Sequence, residues 1–155
     1  MQTIHWQCCN FSELTSHQLY AILQARSAVF VVEQNCPYLD MDNVDQSCLH
    51  LIAWTESQEV AAYLRIVPPG LKFTEASLGR VITTQIGRGA GLGKQLLQQG
   101  IAACQDAYPN SGIRIAAQQY LEKFYQSFGF ITVSDMYLED DIPHIDMLLS
   151  VILKK

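Results

Sequence analysis

Apolar positions along the chain change their period several times, and the changes mark the elements. Residues 4–9 read as a short first strand. Leu19, Ile22, Leu23, Arg26 and Phe30 then recur at helical spacing behind two candidate N-caps, Ser12 and Thr15. This helix is predicted to run towards Glu33 and to end before Pro37, whose ring cannot continue it. Residues 37–46 are polar and acidic, the size of an active-site loop. Two apolar runs, 48–54 and 60–67, follow as a hairpin. Pro68-Pro69-Gly70 is the clearest turn, and a third strand of this set occupies 78–84. Leu92, Leu96, Leu97, Ile101 and Cys104 lie on one face of a second helix, broken by Pro109 to Gly112. Residues 113–117 form a short buried strand, 120–127 a short helix closed by Gly129, and 130–133 and 145–152 the last strands.

The order is β-α-loop-β-β-β-α-β-α-β-β. The central β-α-β implies one parallel pair, between strands 78–84 and 113–117, with a right-handed crossover. The remaining neighbours read as antiparallel. The predicted fold class is a mixed α/β (α+β) domain spanning residues 1–155, a mostly antiparallel twisted sheet flanked by helices.

Composition narrows the functions. At 155 residues the chain suits one domain, and 49% hydrophobic with only 16% charged residues excludes disorder as the main state. A net charge of −5 and the lack of any Lys/Arg tract argue against nucleic acid. No apolar run suits a membrane span, and the first ten residues carry no leader pattern. Five scattered cysteines, without a CxxC pair, argue against a disulfide framework or structural zinc. The expectation is a cytoplasmic protein with reduced thiols and no metal. The apolar strand 145–152 suits either a homodimer seam or a central strand.

The chemistry concentrates at Gln85 to Lys94, a glycine-rich segment between a strand and a helix. Backbone N–H groups at such a helix start form an anion site. A P-loop is excluded because Gln95 stands where the Mg²⁺-binding hydroxyl belongs, and the dinucleotide fingerprint fails at Leu92 or Lys94. Arg88, Gly91 and Gly93 do match Arg/Gln-x-x-Gly-x-Gly/Ala. Further on, Tyr125-Gln126-Ser127-Phe128-Gly129-Phe130 places a tyrosine just before Gly-Phe, and Gln118 precedes that helix.

Together these motifs resemble the coenzyme A pyrophosphate loop and catalytic tyrosine of the GNAT acyltransferase superfamily. Residues 28–34 with Cys36-Pro37-Tyr38, Arg65 to Gly70, Gly79-Arg80-Val81, and 137–145 resemble its ElaA-like branch, except that Asp141 stands where Gly is expected.

The resemblance implies a GNAT-like fold and an acetyl-CoA-dependent transfer of an acetyl group to an amine of a small molecule or protein. It assigns the pyrophosphate to the backbone of Arg88, Gly89, Ala90, Gly91, Leu92, Gly93 and Lys94, with added charge from Arg88 and Lys94. It assigns the pantetheine to Val81, Ile82 and Thr83, with Gln118 nearby, and the general acid to Tyr125. The base is open between Glu33, His144 and a water chain; His50, inside an apolar strand, reads as structural. Arg65 and Arg80 read first as structural ion pairs, with Glu33 or Glu75 as partners, or as contacts to an acidic substrate group. The stretch from Asp40 to Asp45 fails the EF-hand pattern at Val44 and reads as a solvated acidic loop attracting a cationic acceptor. The alternatives are a non-catalytic coenzyme A-binding or interaction module on the same fold, and a binder of another phosphate ligand.

Overall fold

A computed structural model of the chain describes residues 3–151. β1 (His5–Asn10), β2 (Leu49–Trp54), β3 (Val60–Val67) and β4 (Ser77–Thr83) form one antiparallel sheet in that order. β5 (Ile113–Gln118), β6 (Ile131–Thr132), β7 (Tyr137–Glu139) and β8 (Ile142–Leu149) form a second. β8 is its central strand, antiparallel to the other three. The helices are α1 (Ser16–Arg26), α2 (Leu92–Ala107) and α3 (Glu122–Gln126).

Thr15 is the N-cap of α1: its hydroxyl accepts from the Gln18 N–H, and Gln18 Oε1 accepts from the Thr15 N–H, both at 3.0 Å. Ser12 lies instead in a 3₁₀ turn, Phe11–Glu13. The first helix does reach Glu33, but Ser27–Glu33 is wound as a π-helix. Gln34 N–H donates to Val29 and Cys36 N–H to Val31, each five residues back. Strand 130–133 shrinks to two residues, and the last strand moves three residues earlier; Ile152 lies outside the described residues. The β7–β8 hairpin was not expected. Its tip holds Asp140 and Asp141 at φ 52° and 62°, so Asp141 occupies the left-handed backbone that glycine suits best.

The expected parallel pair of β4 and β5 is not formed. Every ladder is antiparallel, and parallel contact shrinks to one isolated bridge, Ala76 to Ile113. There the Arg114 N–H donates to the Ala76 carbonyl at 2.9 Å. The physical reason is a bulge in β4. Arg65 pairs with Gly79 and Tyr63 with Ile82, so Arg80 and Val81 together oppose Leu64. Arg80 takes φ 50°, and a bulged strand bends. β4 and β5 therefore splay apart into a cleft.

β3 is buried on both faces, and its alternation sorts the core. Leu64 and Ile66 join α2, whose Leu92, Leu96, Leu97 and Cys104 pack against both sheets. Ile101 of that face is only partly buried. Tyr63 joins Ile22, Val29, Ile52, Trp54 and Ile82 under the first helix.

Candidate active site

The cleft between β4 and β5 opens into a cavity of about 720 Å³. Val81, Ile82 and Thr83 line one wall and Ala117 and Gln118 the other. Ile82 offers chiefly its backbone there, because its side chain is in the core. At one end the chain enters the glycine loop. Gly87 is fixed by a close approach: a Cβ there would overlap the Ala61 carbonyl oxygen. Beyond it, Gly91 starts α2 at φ 71°, a backbone state that costs other residues about 1–2 kcal/mol.

Among the described residues, the N–H groups of Gly89, Ala90, Gly91, Leu92, Gly93 and Lys94 find no hydrogen-bond acceptor. Gln95 is the first whose N–H is taken up, by Gly91. A sixteen-residue helix thus presents its positive end with free donors. Arg88 and Gly93 border the main cavity, whereas Gly89 to Leu92 and Lys94 lie beyond its rim.

Tyr125 lines the cavity from α3, buried among Phe124 and Phe130, each edge-on to its ring. Burial, with Tyr120 nearby, pushes its pKa up to about 12. The phenol therefore keeps its proton at working pH. Gln118 ends β5 opposite His144 and donates to Gln34 Oε1 at 3.4 Å.

The two candidate bases differ sharply. His144 Nδ1 lies 2.7 Å from the Ile142 carbonyl, which can only accept, so Nδ1 carries the hydrogen. Its Nε2 lies 3.5 Å from Glu139 Oε2 and is otherwise without a protein partner among the described residues. Glu33, by contrast, is already engaged: Arg88 Nη2 donates to its Oε1 at 2.6 Å. His50 is structural, as expected. Its Nε2 donates to the Asp45 carbonyl at 2.9 Å, and its Nδ1 accepts from the Tyr63 hydroxyl at 2.7 Å.

The aspartates of the acidic loop are not free in solvent but paired with arginines. Asp40 accepts from Arg26 Nε at 2.8 Å, and Asp45 from Arg26 Nη1 at 2.7 Å and Arg65 Nη1 at 2.9 Å. Arg65 grips Asp42 with two bonds, at 2.8 and 2.7 Å. Arg80 Nε sits 2.8 Å from Asp40 Oδ1, outside hydrogen-bond alignment, while its Nη2 donates to the Asp40 carbonyl at 2.8 Å. Arg65 and Arg80 are thus paired, but with these aspartates rather than Glu33 or Glu75. Arg26 is fully buried, as its place on the apolar helix face implied, yet as a charge. Burial alone raises the Asp42 pKa, but Arg65 and Arg80 outweigh it and hold the carboxyl well below the usual range.

Many lining residues were not among the predicted site residues, including the polar Gln34, Tyr38 and Asp140. The Tyr38 hydroxyl donates to Asp141 Oδ2 at 3.4 Å, tying the 37–46 loop to the hairpin tip. The Asp140-Asp141 pair was a usable signal, since aspartate tolerates left-handed turns. No cluster of metal-ligating side chains occurs among the described residues. No helix there is long and apolar enough to cross a membrane. All five cysteines are free.

Two antiparallel sheets splayed about a cleft, with a glycine loop starting the central helix, make the GNAT acyl-CoA N-acyltransferase fold. The acetyltransferase (GNAT) domain model matches residues 17–151, and the chain belongs to that family. It is 44% identical to ElaA of Escherichia coli over 151 residues, 96% of this chain and 98% of ElaA. The ElaA crystal structure superposes with a TM-score of 0.89, over 96% of this chain and 100% of that one. An acyl-CoA N-acyltransferase from Pseudomonas aeruginosa, 39% identical, gives 0.91 over the same shares. A CoA-dependent acyl-homoserine lactone synthase, BjaI, is 16% identical with a TM-score of 0.75, over 98% of this chain and 84% of that one; it shares the fold.

Proposed function

We propose that the protein is an acetyl-CoA-dependent N-acetyltransferase that acylates a primary amine in a ternary complex. The observation that carries the reading is one cavity lined by the protonated Tyr125 phenol, both candidate base side chains, Arg88 and Gly93, with the other free N–H groups at the start of α2 just beyond its rim. The loop backbone from Arg88 to Lys94 takes the donor's pyrophosphate, with Arg88 and Lys94 adding charge. The exposed edge of Val81, Ile82 and Thr83, facing Gln118, takes the pantetheine amides. The free thiols suit a cytoplasmic setting.

An amine of pKa about 10.4 must lose a proton before its lone pair attacks the thioester carbon. Glu33, the His144 Nε2 lone pair or a water chain accepts that proton. As the tetrahedral intermediate collapses, the C–S electron pair passes to sulfur. Tyr125, the general acid, donates its hydrogen to that sulfur and is reprotonated from water. A phenol near pKa 12 is a weaker acid than a thiol of about 8.5, so it stabilises the thiolate first by hydrogen bonding.

The test is release of free thiol from acetyl-CoA across a panel of amines. Tyr125→Phe is expected to lower kcat by about 10²–10⁴-fold while leaving donor affinity nearly unchanged. Turnover equal to wild type would remove Tyr125 from the mechanism.

A further inference from the structure

Arg88 and Glu33 lie 55 residues apart in sequence yet close one side of the cavity together. Besides its 2.6 Å bond to Glu33, the guanidinium donates through Nε to the Thr83 carbonyl at 3.2 Å. It thus lies across the end of β4, where the donor's chain would run. Both side chains are partly solvated, 43% and 32% exposed. An ion pair this open is weak and easily exchanged, unlike the buried Arg65–Asp42 pair. A phosphate anion offers the fork at least as good a partner as a carboxylate does.

Resting on the acyltransferase reading above, we propose that Arg88 is shared between two anions. It holds the Glu33 carboxylate while the cleft is empty and passes to the donor's pyrophosphate when the cleft fills. Donor binding thereby frees Glu33, at the end of the π-helical segment, to receive the acceptor amine. While Glu33 Oε1 accepts from Arg88 at 2.6 Å that oxygen is occupied, so the exchange makes an amine productive only after the donor has bound. Arg88 thus has two roles: it binds the donor's pyrophosphate directly, and towards the amine it is a positioning residue acting through Glu33.

The exchange is tested with coenzyme A itself, by calorimetry on the full chain. Glu33→Gln removes the pair that the donor must break, so it should bind coenzyme A about two- to five-fold tighter while losing turnover. Arg88→Gln should bind about ten-fold weaker or more. The double variant decides between causes. If Arg88 is the shared group, Glu33→Gln gives no tightening in the Arg88→Gln background. Equal tightening in both backgrounds would mean simple charge repulsion by Glu33 and would overturn the proposal. So would unchanged or weaker binding by Glu33→Gln alone. No binding of coenzyme A by the wild-type chain would overturn this proposal together with the acyltransferase reading.

Discussion

Two charged regions border the same cavity and behave in opposite ways. At one, Arg26, Arg65 and Arg80 meet Asp40, Asp42 and Asp45, and nearly every donor and acceptor is matched within the chain. At the other, the start of α2 presents a row of free N–H groups, and its cation Arg88 holds one partly solvated carboxylate and the Thr83 carbonyl. In the first region only the buried Arg65 and Arg80 Nε groups lack a hydrogen-bond partner among the described residues; its charges pin the 37–46 loop to β3, β4 and α1. The second keeps a row of backbone donors free for an anion. On the proposed reading, those donors rather than charge density mark the site.

The contrast breaks most visibly at Asp45, which serves Arg26, Arg65 and, through its carbonyl, His50. Asp45→Ala leaves buried guanidinium groups uncompensated and is expected to cost about 3–5 kcal/mol in urea denaturation. A loss under 1 kcal/mol would show that the cluster is dispensable. Gly87→Ala comes next. Its Cβ would overlap the Ala61 carbonyl, so about 1–3 kcal/mol should be lost from overpacking, visible as a lower Tm.

Acidification acts on the paired region in two stages. Burial holds the His50 pKa below its ordinary 6.5, and arginine pairing, against burial, holds Asp42 and Asp45 below 3.8. Each folded-state value lies below the unfolded one. Each contribution is therefore complete above the unfolded value and is lost as pH falls. Stability should decline gently below pH 6.5 and steeply below pH 3.8, read as denaturation midpoints from pH 8 to 3. Midpoints that stay level or rise on acidification would contradict the pairing. The smallest effect sharpens the other side: Arg88→Gln should change stability by no more than about 0.5 kcal/mol, despite its 2.6 Å ion pair, because that pair is exposed.

Local pattern made much of this legible. Helical spacing gave both long helices and their buried faces, and Thr15, one of the two candidate N-caps, caps α1. The glycine loop and Tyr125 lie far apart in sequence, but their motifs carried enough resemblance to place them at one cleft. Three features had no local signal. The bulge at Arg80 and Val81 depends on pairing with β3, and it turned an expected parallel ladder into a cleft. The π-helical winding of Ser27–Glu33 is not marked by any proline or glycine. The acidic loop read as solvated because its partners lie 14 to 40 residues away in sequence. Arg26 was visible only as one more position on an apolar stripe.

The account stands on the unmatched donors at the start of α2 being a coenzyme A site. Calorimetric titration of the purified protein with acetyl-CoA, with ATP and NAD as controls, tests this most directly. The account predicts micromolar binding of acetyl-CoA and none of either control. Failure of acetyl-CoA to bind, or equal binding of ATP, would contradict it.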